Sequence, residues 1–387
     1  MRICFYIEAI AAAFTTGTPY RGMLKRLAEM RCDDEIVLTA LRGNANAVAL
    51  QHAINLPNVR LRQIGGSRRI YNLATIMNVG LAPKIACDAA VYLTSDLEYV
   101  GRLDAPVVAH IADLSSVRDP RRSTMNAVGR RMRRAQLARL AGDPTHLTTI
   151  SQFTKDDLVD WDERFAGRIT VSHNGIDDVW FNEPTATRRE IATQLGLPER
   201  YFIWWGFVSE RKNLKGLMHA YALGVQRQRI EMPDFVLAGG GGPGLDEVLG
   251  VAERFGVRGR VHHVEWPAPE TLADMVSASC GLVFPSFYEG FGLPVIEAMA
   301  RDRPVVAADI PALREIAGGH GILVDPEEPE AILTGIEKLL EAPEHCEQRL
   351  RWASQFTHRA NAQRYSDLID RLVGRLSPAT PQLGSAQ

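Results

Sequence analysis

Glu289 and Glu297 stand eight positions apart in the string Pro285-Ser286-Phe287-Tyr288-Glu289-Gly290-Phe291-Gly292-Leu293-Pro294-Val295-Ile296-Glu297-Ala298-Met299-Ala300. An apolar run, Cys280 to Pro285, precedes them and reads as a buried strand. Pro294 suits the first turn of a helix, where its missing N–H has no partner to lose. Glu289 is therefore expected on a loop and Glu297 in the first helical turn. Gly290 and Gly292 let backbone N–H groups come close to a ligand. The open N–H groups and positive dipole end of the helix favour an anion. The chemistry indicated is one carboxylate holding hydroxyls near a phosphate-bearing ligand and a second holding another hydroxyl pair.

A second charged element lies upstream, in Trp205-Gly206-Phe207-Val208-Ser209-Glu210-Arg211-Lys212-Asn213. A strand ends at Gly206 and two adjacent cations, Arg211 and Lys212, follow it. Cations at the carboxyl end of a parallel strand suit a diphosphate that gains charge as it leaves. Between the two elements runs Ala238-Gly239-Gly240-Gly241-Gly242-Pro243-Gly244. The glycines there, Gly240 among them, permit close approach of a nucleotide. The run is not a Walker loop, because no Gly-Lys-Ser/Thr follows.

The elements that must position these groups read as alternating strands and helices. Short apolar runs such as Glu35-Ile36-Val37-Leu38-Thr39, Pro106-Val107-Val108-Ala109-His110 and Tyr201-Phe202-Ile203-Trp204-Trp205 alternate with helical segments. Continuous apolar strands between helices indicate parallel sheets covered on both faces. The pattern restarts after the polar stretch 182–200, taken as the connection between two doubly wound α/β domains, 1–181 and 201–357. A helical segment, 358–376, and a Pro-, Gly- and Ser-containing tail, 377–387, complete the chain.

The string around Glu289 and Glu297 resembles the Glu-x7-Glu signature of the retaining glycosyltransferases of family 4, which have the GT-B fold. The Arg211-Lys212-Asn213 element and its order with the glycine run are similar to the same family. The resemblance implies two Rossmann-like domains facing across a cleft, with a C-terminal helix crossing back to the first. It implies transfer of a sugar from a nucleotide diphosphate to an acceptor hydroxyl, with retention of configuration. Arg211 and Lys212 would neutralise the departing diphosphate, Glu289 would hold the donor sugar, and Glu297 the ribose. Backbone groups from Gly290 to Leu293, Phe291 included, would cradle sugar and phosphate. Gly17 and Thr18 match the family's glycine turn beside the donor phosphates. Val264 lies where family members read the nucleobase. His110 resembles the family histidine near the transferred sugar, with a spacing to Asp113 of its own. Two further departures are Phe207, where many members have Arg, and Glu265, where they commonly have Gly. The region around His110 leans toward mannosyl- and rhamnosyltransferases of surface polysaccharide synthesis, which makes GDP-mannose the expected donor and a lipid-linked or polysaccharide glycan the expected acceptor. The alternatives are a UDP- or dTDP-sugar transferase with a small-molecule acceptor and a non-catalytic, regulatory GT-B protein.

Composition fits this frame. The 387 residues are 46% apolar and 23% charged, with a net charge of -2 and five scattered cysteines. That is ordinary globular material for two domains, with no global case for nucleic acid and no zinc or disulfide pattern. The Asp-x-Asp string of the chain, Asp160-Trp161-Asp162, lies outside the elements expected to meet the donor phosphates, so no metal or other cofactor is expected. The adjacent His262 and His263 project to opposite faces of a strand, which disfavours chelation. No run reaches the ~18 apolar residues of a membrane span, and a cytoplasmic location is expected. One window is strongly basic: Ser116 to Leu140 holds eight arginines against Asp119 alone. From Val128 on it can form a helix with Val128, Met132, Ala135 and Ala138 on one side. Arg130, Arg131, Arg133 and Arg134 on such a helix are candidates for an anionic membrane surface, on the inner face of the plasma membrane, or for an anionic acceptor.

Overall fold

A computed structural model describes residues 1–7, 18–65, 85–93, 103–123, 125–143, 145–227, 231–343 and 345–376. Gly17 and the tail 377–387 lie outside the described residues.

Two parallel sheets form the frame. The first has seven strands in the order β3-β2-β1-β4-β5-β6-β7. These are β1 (Arg2–Tyr6), β2 (Glu35–Leu41), β3 (Val59–Ile64), β4 (Ala89–Tyr92), β5 (Val107–Ile111), β6 (His146–Thr149) and β7 (Ile169–Val171). The second has six, in the order β10-β9-β8-β11-β12-β13. These are β8 (Tyr201–Gly206), β9 (Asp234–Gly239), β10 (Val261–Glu265), β11 (Gly281–Phe284), β12 (Val305–Ala308) and β13 (Ile322–Val324). In both sheets the central strands are buried on both faces, as their unbroken apolar runs require. The chain is thus of the GT-B type, two doubly wound α/β domains.

The stretch between the sheets carries a short helix, Arg188–Leu195, opened by a capping box of Thr187 and Glu190 and closed by Gly196 at φ +63°. Its Ile191, with Leu197, joins the core of the second domain. The C-terminal helix, His358–Leu372, is capped by Thr357. Its Ala362, Tyr365, Leu368 and Ile369 pack with Ile3, Phe5 and Val91 in the first domain's core. Asp370 receives Arg31 at 3.0 and 2.9 Å.

Direct contacts join the two domains beside the cleft. Ser151 Oγ donates to Gly290 O at 2.6 Å. Glu315 of the second domain accepts from the backbone N–H groups of Gln152 and Phe153 at 2.8 and 2.9 Å. Those amides open the helix Gln152–Trp161, so the carboxylate also meets a positive dipole end.

Candidate active site

The second-domain wall of the cleft is built from strand ends. β8 stops at Gly206 with φ +136°, and β9 stops beside it at Gly239 with φ +134°. A Cβ on Gly239 would stand 2.2 Å from Gly206 O, so the two strand ends touch through backbone. A short turn, Glu210–Lys212, follows β8 and ends at Asn213, φ +54°. Asn213 Nδ2 donates to Pro326 O at 2.6 Å, which fixes the turn against the loop after β13.

This turn delivers both cations to one carboxylate. Arg211 Nη1 lies 2.7 Å from Glu289 Oε2, and Lys212 Nζ lies 2.6 Å from Oε1. Arg211 also donates to Tyr288 O at 2.6 Å. Glu289 is 6% exposed. Burial pulls its carboxyl upward, but Lys212 and Arg211 together outweigh burial and hold it below the usual range. The group is two cations around one anion, so it carries a net positive charge at the cleft. The pairing of Glu289 with Arg211 and Lys212 was not evident in the sequence, where they lie far apart.

Glu297 has a different setting. It stands one position beyond the first turn of the helix Leu293–Ala300, not within it, because the helix already begins at Leu293. Its Oε2 accepts from Trp205 Nε1 at 2.9 Å, and Trp205 stacks on Trp180. Burial raises its carboxyl to about 7, against the Trp205 hydrogen bond and with a further push from Asp177. Of the two candidate carboxylates, Glu289 is buried and ionised by its partners, and Glu297 is half-buried and poised near neutrality.

The glycines between them have distinct tasks. A Cβ on Gly290 would lie 2.7 Å from Ala112 O and 2.8 Å from Asp113 Cβ, so Gly290 lets the two domains meet. Gly292 caps the helix at φ +100°, a conformation that favours glycine. Phe291 is 3% exposed and packs on His173 and Phe356; its side chain belongs to the core. Leu293 opens the helix, and no side chain caps its N-terminus.

The region expected to meet the nucleobase is covered by aromatic rings. Phe207 and Trp266 are both exposed and meet edge to face at 4.6 Å. A Cβ on Gly240 would lie 2.9 Å from the Trp266 ring. Trp266 holds φ +36°, an uncommon backbone for a bulky residue. Val264 is half-buried in β10. His262 is engaged by Asp234 at 2.8 Å and His263 by Gly239 O at 3.1 Å, each with its own partner. Among the described residues no group of three or more His, Cys, Asp or Glu could hold a metal ion.

The first-domain wall departs from expectation. His110 is 1% exposed. Its Nε2 meets Tyr20 Oη at 3.0 Å, and its Nδ1 meets Thr148 Oγ1 at 3.1 Å and Tyr365 Oη at 3.0 Å. Burial, with Arg133 nearby, lowers its pKa to about 3, so it is neutral. The reason is position: His110 lies inside β5, beneath the helices, while the chain reaches the cleft two residues later. Ala112 and Asp113 line the cleft there instead. Asp113, although quoted in the sequence with His110, was not singled out; an acid just past a strand's carboxyl end was the available signal. Thr18 begins the helix Thr18–Met30 that supplies Tyr20.

The arginine-rich segment also differs. Its helix is Ala127–Gly142, and the buried positions are Arg133, Leu137, Leu140 and Ala141. Val128 is 68% exposed, so the apolar side expected from Val128, Met132, Ala135 and Ala138 is not the packed one. Arg133 is 3% exposed and lines the cleft, which removes it from any outer surface. Arg130 donates to Met125 O, Arg134 to Val117 O at 3.4 Å, and Arg131 is exposed. Arg122 reaches Glu327 of the second domain at 2.9 Å and lies over the Phe287 ring at 3.8 Å. No helix among the described residues is long and apolar enough to cross a membrane.

Between the walls lies a cavity of about 470 Å³, bounded by Asp113 and Arg133 on one side and Phe207 and Arg211 on the other. Comparison with known proteins agrees with this layout. Residues 187–356 match the family described as glycosyl transferases group 1. The O-antigen chain mannosyltransferase B of Escherichia coli is 29% identical over 196 residues, 50% of this chain and 51% of the relative. The D-inositol 3-phosphate glycosyltransferase of Corynebacterium urealyticum is 32% identical over 233 residues, 57% of this chain and 54% of the relative. The matches thus span about half the length of these relatives. Over nearly the whole chain, the fold is that of Anabaena Alr3699/HepE, solved in complex with UDP (TM-score 0.70, 18% identity, 96% of this chain and 100% of that one). Sucrose-phosphate synthase from Thermosynechococcus elongatus is similar as well (TM-score 0.72, 18% identity, 97% and 99% covered). Residues 187–356 thus match glycosyl transferases group 1, and the chain as a whole has the GT-B fold.

Proposed function

We propose that this protein transfers a sugar from a nucleotide diphosphate to an acceptor hydroxyl, with retention and without a metal ion. The observation that carries the reading is the enclosed group of Arg211, Lys212 and Glu289, net positive and set beside the uncapped N-terminus of Leu293–Ala300. Such a group meets the charge that develops on a leaving diphosphate, which is the largest demand of this reaction. Arg211 is the more exposed of the two cations and takes the phosphates first. Glu289 keeps both cations aimed and holds hydroxyls of the donor sugar. Glu297 holds the ribose hydroxyls. In the transfer step the acceptor oxygen bonds to the anomeric carbon on the face from which the phosphate oxygen departs. The acceptor proton passes to that departing oxygen, and the nucleoside diphosphate leaves. Closure of the two walls excludes water.

Mannose from GDP-mannose is the proposed sugar, and a lipid-linked or polysaccharide glycan the proposed acceptor; the similarity to O-antigen mannosyltransferases supports both. A UDP-sugar is the second reading, favoured by the HepE complex with UDP. A regulatory protein without activity is less consistent with an intact set of Arg211, Lys212, Glu289 and Glu297. Work at the inner membrane face, through exposed residues such as Arg131, is part of the same proposal. The test is release of nucleoside diphosphate from GDP-mannose and from UDP-, dTDP- and ADP-sugars in excess EDTA. Release from one donor, unchanged by EDTA, is expected. Activity lost in EDTA and restored by Mg²⁺ would contradict metal independence, and no release from any donor, with or without a glycan acceptor, would contradict the transferase reading.

A further inference from the structure

Two exposed aromatic rings meet beside the cleft cavity. Among the described residues five large apolar side chains are exposed, and of these Phe207 and Trp266 touch, edge to face at 4.6 Å. Phe207 follows the end of β8 and Trp266 the end of β10, while Gly240 follows the end of β9, which runs between them. A Cβ on Gly240 would meet both rings, at 2.9 Å from Trp266 and 3.5 Å from Phe207. The rings thus rest on a glycine outside the carboxyl ends of three neighbouring parallel strands, where open α/β sheets hold their ligands. Trp266 keeps this place at φ +36°, a backbone conformation that is costly for a bulky residue and points to a task for the ring. Phe207 also lines the cleft cavity with Arg211, so a ligand whose diphosphate meets Arg211 can lay a flat group on the rings.

A carboxylate stands next to them. Glu265 and His263 are two positions apart on β10 and share a face. Both reach Gly241, where a Cβ would lie 3.9 Å from Glu265 Oε1 and 4.0 Å from the His263 ring. His263 is engaged by Gly239 O at 3.1 Å. Glu265 is exposed, and among the described residues no ion pair or hydrogen bond holds its side chain. An aromatic pair and an unengaged carboxylate therefore border two consecutive glycines, Gly240 and Gly241.

We propose that Phe207, Trp266 and Glu265 read the base of the donor nucleotide and select guanine. This rests on the transferase reading and adds to it the side chains that choose the nucleotide. The rings take the flat face of the base, which every base presents, so they give affinity without choice. The choice falls to Glu265. A carboxylate only accepts, and two parallel bonds to it need two neighbouring donors. Guanine has them, its N1–H and 2-amino group side by side. Adenine and cytosine set their amino group beside an acceptor nitrogen, and uracil and thymine set their one N–H between two carbonyls. Each of these would turn an acceptor lone pair toward the carboxylate.

The experiment is calorimetric titration of the full chain, without metal, using GDP, IDP, ADP, UDP and inorganic pyrophosphate. IDP keeps the N1–H and lacks the 2-amino group, and pyrophosphate has no base. The parent should bind GDP about tenfold more tightly than IDP and about a hundredfold more tightly than ADP or UDP. Glu265→Gln, which keeps the side chain's shape, should bring GDP to within about threefold of ADP while pyrophosphate affinity stays within about twofold. Trp266→Ala should weaken all four nucleotides by about tenfold or more and leave pyrophosphate unchanged. Both residues are exposed, so neither change empties a core site. A preference for GDP that survives Glu265→Gln, or tighter binding of UDP or ADP than of GDP by the parent, overturns guanine selection by Glu265. Unchanged nucleotide affinities in Trp266→Ala, or a loss of pyrophosphate in step with them, overturn the stacking role. A parent that binds pyrophosphate as well as any nucleotide has no base site. If neither pyrophosphate nor any nucleotide binds, the diphosphate site itself fails, and with it the transferase reading and this inference.

Discussion

The two walls of the cleft solve different problems. The second-domain wall gathers its charges into one closed group: Arg211, Lys212 and Glu289 satisfy one another within 2.7 Å. The first-domain wall spreads its groups over a strand end, a loop and a helix, and His110 is sealed inside by Tyr20, Thr148 and Tyr365. A preformed charge cluster suits a ligand part that every donor shares, the diphosphate. A wall of separate residues suits a part that varies, the acceptor. The comparison teaches that a closed charge group is held by short loops just past the strand ends, whereas the first wall's groups sit on separate elements that can change independently.

The largest effect should come from breaking the closed group. Arg211→Ala or Lys212→Ala leaves Glu289 enclosed with half of its compensation. Steady-state assays should show turnover down by about 10²–10³ or more. Denaturant unfolding should show a loss of about 3–5 kcal/mol, as for a broken buried ion pair. Turnover within twofold of the parent would mean that the charge platform lies elsewhere.

Glu297 sharpens the contrast between the two carboxylates of the same wall. Its folded carboxyl titrates at about 7 because burial opposes its charge. Below that pH it carries a proton and accepts fewer ribose hydroxyl bonds. Nucleotide affinity of the parent should therefore rise as pH increases through 7, by up to about tenfold per unit below the midpoint. Glu297→Gln should lack this component, so the two titration series should diverge most near pH 8. The stability sign is opposite. A raised folded pKa favours the native state below the ordinary value near 4.5 and loses that contribution as pH rises through about 7. Parallel pH profiles for parent and variant would remove Glu297 from the ribose role.

On the first wall, His110→Phe should cost stability rather than chemistry. It leaves polar partners without a bond inside the domain, at about 1–3 kcal/mol for an orphaned group. Turnover per folded molecule should change little, since the ring does not reach the cleft. A loss of turnover with unchanged melting would reverse this assignment. The smallest effect belongs to the outer face of the arginine helix: Arg131→Gln should lower binding to anionic vesicles by roughly fivefold, read by co-sedimentation. Equal sedimentation of parent and variant would exclude Arg131 from such contact.

The difference between the walls also governs what could be read in advance. On the second wall the glycines, proline and charges are contiguous in sequence, and their local rules alone place a strand, a loop and a helix start. The parallel sheets were legible for the same reason, from unbroken apolar runs. What the sequence concealed was pairing across 77 positions, Lys212 to Glu289, which only the fold brings together. His110 misled because a residue inside a strand end lies only two positions from one just beyond it, a difference that local pattern does not resolve. The arginine helix misled because Arg133 occupies an inward position that a hydrophobic pattern assigns to an apolar residue. Both errors fall where tertiary context overrides local preference.

The most direct measurement is calorimetric titration of the purified protein with GDP, UDP, dTDP and ADP in the absence of metal, beside the Arg211→Ala variant. The account predicts tight binding of one nucleotide by the parent and its loss in the variant. Binding that persists in Arg211→Ala, or that requires a divalent ion in the parent, would contradict a diphosphate site built on Arg211, Lys212 and Glu289.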